Sequence, residues 1–489
     1  MTKIPVELKL TIQTILSSIT IMLQKAKALW SKPNIRNIIA ITGLLFLSRG
    51  LGFARSVLIY NRMDKISGDL LIASTKIPET IASLLIMGTI ISSMLPIASG
   101  LEQEEKGDKK ISSYLNFMMV SVIFMLSIIT LFCIAFTPDL LVFTTSSDLI
   151  SLFEKQGLFS DYVLTTRILL LGPFLFALQA IFGVFLNIKH RFAVYSWAGA
   201  IYNIGTICGI LIGVRNGYIQ TSIGMMLGAF LTVILFWCEA QKFGYSSHLS
   251  SIFRVNILSL TRQTFVDFKS DIIATWKVFL PRIFLINGAI LANLLITRVA
   301  QNAGQVTAFD IGLSIQGLFF SLVTSVGTVF FPDLAKAFNS DVKDKFWEKL
   351  NLYGKYIILT SIAGSLFTVV FAPVVMWLFE LLGKGQNNAD YIVLIARVCT
   401  LGLIFQSLNE ILSKYFYVRQ RVWQPVIIST LGLIGQLIAV FTLIRFKFDA
   451  GVSVSVGLGV ANFVVSLVSL WLIRIDKNKE TLHKLTNEV

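Results

Sequence analysis

The sequence predicts an all-α, polytopic membrane protein of about twelve transmembrane helices in two halves of six. Three observations support this fold class. Of the 489 residues, 55% are hydrophobic and only 14% are charged, whereas a soluble domain carries roughly 25% charged residues. The mean hydropathy is +0.75. Apolar runs long enough to span a bilayer recur along the chain, so soluble enzymes, nucleic-acid-binding proteins and disordered chains are excluded.

Twelve apolar runs are the predicted spans: 37–61, 68–99, 111–137, 162–188, 193–213, 218–240, 272–299, 305–334, 352–382, 389–415, 424–444 and 450–474. They predict five regions along the chain. These are an amphipathic N-terminal segment (1–36), a first lobe (37–240), a cytoplasmic linker (241–271), a second lobe (272–474) and a cytoplasmic tail (475–489).

The distribution of Lys and Arg predicts the orientation. If the N-terminus is inside, the inner segments hold roughly three times as many Lys and Arg residues as the outer loops, as the positive-inside rule requires. Both termini are therefore predicted to be cytoplasmic. Much of the formal net charge of +15 follows from topology, and no nucleic-acid partner is needed to account for it.

The first 36 residues contain apolar side chains at helical spacing, from Ile12 to Leu23. This pattern predicts an amphipathic helix on the inner leaflet. A cleaved signal peptide is the alternative, since Ala26-Lys27-Ala28 has the small residues of a cleavage site. The charge distribution favours a retained segment.

The two halves carry weakly similar motifs. Leu47-Ser48-Arg49 opens the first span and Leu280-Pro281-Arg282 the seventh, while the basic turn His190-Arg191-Phe192 is matched by Arg419-Gln420-Arg421. With six spans in each half, both halves begin inside the cell. The pattern thus indicates a parallel repeat with its axis along the membrane normal and a substrate site between the halves.

Ionisable residues inside spans are costly unless they face water or a partner. Arg49, Arg55 and Lys76 are predicted to face a cavity, where arginines suit a phosphate or pyrophosphate group. Arg49 and Arg55 lie six residues apart and do not share one narrow helix face. Gly50 and Gly52 are therefore candidates for a bend that brings both into the cavity.

Internal ion pairs are the alternative role for these charges. The pairs considered are Arg55 with Asp69 and Arg397 with Glu410. In that case Asp69, Arg397 and Glu410 have a gating or structural role. No catalytic residue, metal ligand or cofactor is predicted, and the chain has no P-loop motif.

The segment 47–55, Leu-Ser-Arg-Gly-Leu-Gly-Phe-Ala-Arg, closely resembles the first-helix motif of the bacterial lipid II flippase family. These are the MurJ/MviN proteins of the multidrug/oligosaccharidyl-lipid/polysaccharide exporter superfamily. The similarity continues through Asp69, Lys76-Ile77-Pro78, Gly88 and Leu95-Pro96, and extends to about residue 474. It implies two six-helix lobes with pseudo-two-fold symmetry around a central cationic cavity. By resemblance, Ser48, Arg49, Arg55 and Lys76 are substrate-binding residues.

The chain also differs from the family pattern. Glu79, Ala82 and Ser83 stand where the second helix of the family has an asparagine and then an arginine pair, and Ser56 replaces an acidic residue. Gly312-Leu313 stands where the eighth helix of the family carries an arginine. Arg282 or Lys277 is the candidate replacement for that cation. The thirteenth and fourteenth helices of the family have no counterpart among the twelve predicted runs.

The resemblance implies a flippase that moves an undecaprenyl-pyrophosphate-linked peptidoglycan precursor from the inner to the outer leaflet by alternating access. Two alternative functions stay open: transport of another polyprenyl-linked oligosaccharide, and a transport-inactive scaffold. The expected partners are the lipid-linked glycan, membrane lipids and cell-wall synthesis proteins. The expected location is the bacterial inner or plasma membrane. The membrane potential and an ion gradient are the candidate energy sources.

Overall fold

The protein is described by a computed structural model. It covers residues 33–86, 89–102, 104–191, 193–213, 217–245, 265–283, 288–318, 320, 343–381, 388–419, 421 and 423–487. The predicted amphipathic helix near the N-terminus lies outside these residues, as does most of the predicted linker. Within these ranges the chain forms helices and contains no strand, which confirms the all-α class.

We number the helices in chain order. The first half contains α1 (Pro33–Arg62), α2 (Lys65–Leu85), α3 (Thr89–Glu102), α4 (Gly107–Ala135), α5 (Thr137–Thr144), α6 (Ser147–Lys155), α7 (Phe159–Leu169), α8 (Gly172–Ile188), α9 (Ala193–Ile212) and α10 (Tyr218–Lys242). The second half contains α11 (Lys269–Ile283), α12 (Gly288–Val299), α13 (305–318), α14 (Lys343–Leu381), α15 (Ala389–Leu401), α16 (Leu403–Val418), α17 (Trp423–Arg445) and α18 (Ala450–Asn487).

Several of these helices are long and apolar enough to cross a membrane. In the described part of the chain there are six, and a seventh forms if α15 and α16, bent by 41° at Gly402, make one span. Shorter apolar helices, such as α12, add to these. The protein is therefore a multi-pass membrane protein. The division into two lobes with the stated boundaries stays a prediction.

The internal repeat is visible in the order and length of the helices. The series α7 to α10 starts at Phe159, and the series α15 to α18 starts at Ala389, 230 positions later. Each series opens with a short helix that breaks before the next one, at Leu170-Leu171 and at Gly402. The sequence of buried, half-buried and exposed residues is identical over 161–170 and 391–400. The two segments therefore occupy equivalent environments.

A tyrosine–aspartate hydrogen bond closes the same end of both series. In the first half, the hydroxyl of Tyr218 donates to Asp161 Oδ2 at 2.6 Å. In the second half, the hydroxyl of Tyr391 donates to Asp449 Oδ1, also at 2.6 Å. The aspartate is on the first helix of the series in the first half, and the tyrosine is on the first helix in the second half. The hydrogen bond occupies an equivalent position in both.

The helices α9 and α10 pack with their backbones in contact. A Cβ atom at Gly205 would lie 2.6 Å from Gly224 O and 2.6 Å from Gly228 Cα. Small residues that let backbones approach are a usual basis of helix association in membranes. Because α9 also packs on α1, this contact positions one wall of the site described below.

We therefore expect Gly205→Ala to lower the melting temperature of the purified protein, since overpacking of this kind costs about 1–3 kcal/mol. The matched control is Gly354→Ala in α14, where a Cβ would meet nothing within 4 Å. There the loss of helix flexibility should raise the stability slightly. Equal effects of the two substitutions would contradict the close packing of α9 and α10.

Candidate substrate-binding site

A cavity of about 360 Å³ lies between the two halves, bounded by α1 and α9 on one side and α13 on the other. Its walls carry polar and charged groups within an apolar protein. The lining residues are Ser48, Arg49, Gly52, Phe53, Arg55, Asn203, Asp310, Leu313, Ser314, Gly317 and Leu318. Three predicted substrate-binding residues, Ser48, Arg49 and Arg55, are thus brought together.

The helix α1 presents these residues without a break. It is α-helical from Pro33 to Arg62, so no unwinding at Gly50 or Gly52 is needed for both arginines to reach the cavity. The expected unwinding is therefore not observed: the cavity follows a broad face of α1, and the arginine side chains are long. Gly52 faces Asn203 of α9, where a Cβ would lie at an ordinary contact distance of 3.4 Å from Asn203 Nδ2.

Asn203 connects α9 to this face of α1. Its Nδ2 donates a hydrogen bond to the backbone carbonyl of Ser48 at 3.1 Å, and the residue is itself nearly buried at 9% exposure. An amide that holds the backbone next to Arg49 helps to fix the position of the arginine. Sequence reasoning missed this role, because a single asparagine in an apolar run carries no signal of its partner.

The two arginines differ in their surroundings. Arg49 is exposed to the cavity, whereas Arg55 is half-buried. The Nε of Arg55 is buried and has no hydrogen-bond partner among the described residues. Arg55 interacts electrostatically with Lys76, Glu79 and Asp310. Arg55 therefore lines the cavity while its Nε is enclosed by the protein.

Lys76 does not line the cavity as a free cation. Its Nζ lies 2.9 Å from Asp310 Oδ1 and 3.1 Å from Asn293 Oδ1, and its side chain is 3% exposed. The Oε2 atom of Glu79 lies 4.0 Å from the same ammonium group. The expectation of a third unpaired cation is corrected, because a buried ammonium group requires such partners. Lys76 contributes to the site through Asp310, which does line the cavity.

The charged groups in and directly behind the cavity wall leave an excess of positive charge. Arg49, Arg55 and Lys76 carry three positive charges, against the carboxylates of Glu79 and Asp310. Since Asp310 pairs directly with Lys76, the positive charge left for a ligand resides on the two arginines.

Asp69 forms a second buried contact between the halves. It is fully buried, and it accepts hydrogen bonds from Gly304 N at 2.6 Å, Thr307 N at 2.8 Å and Thr307 Oγ1 at 2.8 Å. The alternative prediction of an Arg55–Asp69 ion pair is therefore wrong. The carboxylate instead binds donors at the start of α13, where free backbone N–H groups favour a negative charge.

The considered Arg397–Glu410 ion pair is also wrong. Arg397 Nε donates to the backbone carbonyl of Val369 at 3.1 Å. Glu410 instead lies 3.7 Å from Lys414 Nζ, one helical turn along α16. The two residues stand on either side of the bend at Gly402, which turns them to different neighbours.

The second half supplies no described cation to the cavity. Gly312 packs against α15, where a Cβ would come within 3.1 Å of Ala396 N, and Leu313 lines the cavity. Lys277 is exposed on α11 and is not among the lining residues. The side chain of Arg282 lies outside the described part, so its predicted role stays a prediction.

Comparisons with known proteins agree with this architecture. A family model described as "Lipid II flippase MurJ" matches residues 64–486, a match that begins after the 47–55 motif. A protein named "Probable lipid II flippase MurJ" from Buchnera aphidicola subsp. Baizongia pistaciae (strain Bp) is 24% identical over 449 residues, which cover 85% of this chain and 79% of that protein.

Two solved structures share the fold. One, titled "Lipid II flippase MurJ, inward closed conformation", has a TM-score of 0.70 at 19% identity and covers 89% of this chain and 87% of that chain. The other is an inward-facing multidrug resistance MATE family transporter of the MOP superfamily, with a TM-score of 0.67 at 15% identity and coverage of 91% and 99%. At these identities the likeness is one of fold.

The Lys76–Asp310 pair makes a prediction about stability. Asp310→Leu should destabilise the protein more than Lys76→Met does, because it removes the nearest carboxylate from the 3%-exposed Lys76, whereas Asp310 is 23% exposed. Orphaning a buried charge costs about 3–5 kcal/mol. The double variant should recover much of the loss. Melting temperatures of the three purified variants measure this.

The control is Lys110→Met, which breaks the exposed Lys110–Glu104 pair and should change little. If the single and double variants melt at the same temperature as the unmodified protein, the inter-half pair has no structural role.

Proposed function

This chain belongs to the MurJ lipid II flippase family, and we propose that it moves a lipid-linked peptidoglycan precursor, lipid II, across the membrane by alternating access. The observation that carries the proposal is the cavity between the halves, into which α1 presents Arg49 and Arg55. Two guanidinium groups can bind a pyrophosphate through paired, charge-assisted hydrogen bonds.

The proposed mechanism begins with the headgroup entering the cavity while the lipid tail stays in the bilayer. Ser48 and Arg49 lie on one turn of α1, and Arg55 lies about two turns further along. A pyrophosphate between them could be held by both arginines. Because the cavity is bounded by both halves, a rocking motion of one half against the other would expose the bound group to the opposite side.

A second candidate is a flippase for another polyprenyl-linked oligosaccharide. The observation that favours it is the wall formed by α13, where Leu313, Ser314 and Gly317 line the cavity and Asp310 provides a negative charge. A glycan headgroup in the cavity would contact this wall, so its side chains are expected to influence which sugar is carried. The pyrophosphate is common to both candidates.

Complementation tests the substrate. The chain should restore growth of a strain depleted of its own lipid II flippase. Arg49→Ala and Arg55→Ala should fail to do so, while their amounts in the membrane stay the same. Binding of the lipid-linked pyrophosphate to these variants should weaken at least about tenfold, since each charge-assisted hydrogen bond contributes roughly 1.5–3 kcal/mol.

Arg445→Ala, which removes an exposed arginine at the end of α17, is the matched control and should complement normally. Rescue of a strain that lacks an O-antigen or capsule flippase, without rescue of the lipid II strain, would support the second candidate. If either cavity variant loses its fold and binds normally per folded molecule, the arginine has a structural role instead.

We also propose that both termini and the 241–271 linker face the cytoplasm in the bacterial inner or plasma membrane. In a background without the exposed Cys208 and Cys238, Ser250→Cys in the linker should react with an impermeant thiol reagent only after permeabilisation. Asn302→Cys, at an exposed position between α12 and α13, should react in intact cells. The reverse labelling pattern would invert the topology.

A further inference from the structure

Two arginines occupy equivalent positions in the internal repeat, outside the cavity described above. Arg167 lies in α7 and Arg397 in α15, 230 positions later. Both are exposed, and the exposure pattern around them is the same in the two halves. The helix α7 belongs to an apolar span, Phe159–Ile188, and α15 to the bent span with α16. An arginine on the lipid-facing side of a span requires a polar group or the membrane interface within reach of its side chain.

The neighbouring residues show which surface these arginines occupy. Leu164 and Leu171, on the same face of the first series as Arg167, are 46% and 53% exposed. Leu394 and Leu401, around Arg397, are 46% and 70% exposed. Exposed leucines on a membrane span face lipid. The two arginines therefore point towards the bilayer rather than into the protein.

Both arginines also lie near the same end of their spans. Arg167 is six residues from Asp161, which is about 9 Å along a helix, and Asp161 is held by Tyr218 near the end of the bundle. Arg397 stands at the same distance from Tyr391. An arginine at this depth can extend its side chain to the level of the lipid phosphates.

The Nε atom of each arginine contacts a polar group that lies close to a helix proline. Pro373 inside α14 has no N–H, so the carbonyl of Val369 four residues earlier loses its helical donor. Arg397 Nε donates to that carbonyl at 3.1 Å. In the first half, the hydroxyl of Thr137, next to Pro138, lies 2.6 Å from Cys133 O and 3.0 Å from Ile134 O. Arg167 Nε lies 3.5 Å from that hydroxyl oxygen.

Among the described residues, the two terminal nitrogens of each guanidinium group have no hydrogen-bond partner, since the contacts are made by Nε. Within the described ranges, neither arginine has a carboxylate within 4.0 Å. A positive charge held at a lipid-facing surface, with a planar pair of donors, matches an oxygen-rich anion. We propose that Arg167 and Arg397 each bind the phosphate of a bilayer lipid headgroup, one site in each half.

Titration of lipid into the purified full-length chain, followed by native mass spectrometry, tests the proposal. The probe is phosphatidylglycerol, and diacylglycerol with the same acyl chains is the phosphate-free reference. Arg167→Gln and Arg397→Gln should each remove one of two tight phosphatidylglycerol sites, with affinity at that site falling about tenfold. The double variant should lose both sites, and diacylglycerol binding should be the same in all variants.

Arg445→Gln is the matched control, because it removes the same charge from an exposed position, and its binding should equal that of the unmodified chain. Arg397→Lys is a conservative control for loss of the fold. It keeps the positive charge but lacks the planar guanidinium group, so an intermediate affinity is expected. Unchanged phosphatidylglycerol binding in a monodisperse double variant would overturn the proposal. Inorganic phosphate that displaces no lipid supports a lipid site, whereas full displacement at millimolar phosphate would overturn it in favour of a site for the free anion.

Discussion

An ammonium group buried inside a membrane protein needs an anionic partner, and Lys76 finds its partner in the other half of the molecule. The carboxylate of Asp310 and the amide of Asn293 both come from the second half. Asp69, two turns earlier on α2, reaches across to the start of α13 in the same way. These two contacts fix how α2 lies against the second half. The cavity beside α1 takes its shape from that arrangement.

Within each half, backbone N–H and C=O groups in the bilayer must find hydrogen-bond partners inside the protein, because no water is available there. A proline in a span frees a carbonyl that must find another donor, and both halves solve this with a nearby side chain. Arg397 donates directly to Val369 O. The hydroxyl of Thr137 lies within hydrogen-bond distance of Cys133 O and Ile134 O and contacts Arg167 Nε. The tyrosine–aspartate pairs repeat in a similar way. The interactions have therefore kept their places in the repeat although the residues that make them have changed.

Hydrophobic periodicity and charge were sufficient to predict the fold class, because apolar runs of about 20 residues occur mainly in helices that cross a bilayer. They also identified Arg49 and Arg55 as residues of the cavity. The partners of the charges could not be predicted. Lys76 and Asp310 are 234 residues apart, and the choice of Asp310 over nearer carboxylates depends on how the halves pack. Arg167 escaped prediction because one arginine close to a polar loop is typical of an ordinary end of a span.

Whether each cation already has a carboxylate partner determines whether it is available to bind an anion in the cavity. The charge of Lys76 is already paired with the carboxylate of Asp310, whereas Arg49 and Arg55 offer planar guanidinium donors to a ligand. Asp310 interacts with both Lys76 and Arg55, so it is shared between the contact that joins the halves and the group proposed to bind the ligand. An anion bound at Arg55 would compete with Asp310 for that guanidinium and would change the environment of the Lys76–Asp310 pair. The proposed headgroup binding would therefore be thermodynamically linked to the contact between the halves, and such a linkage is reciprocal.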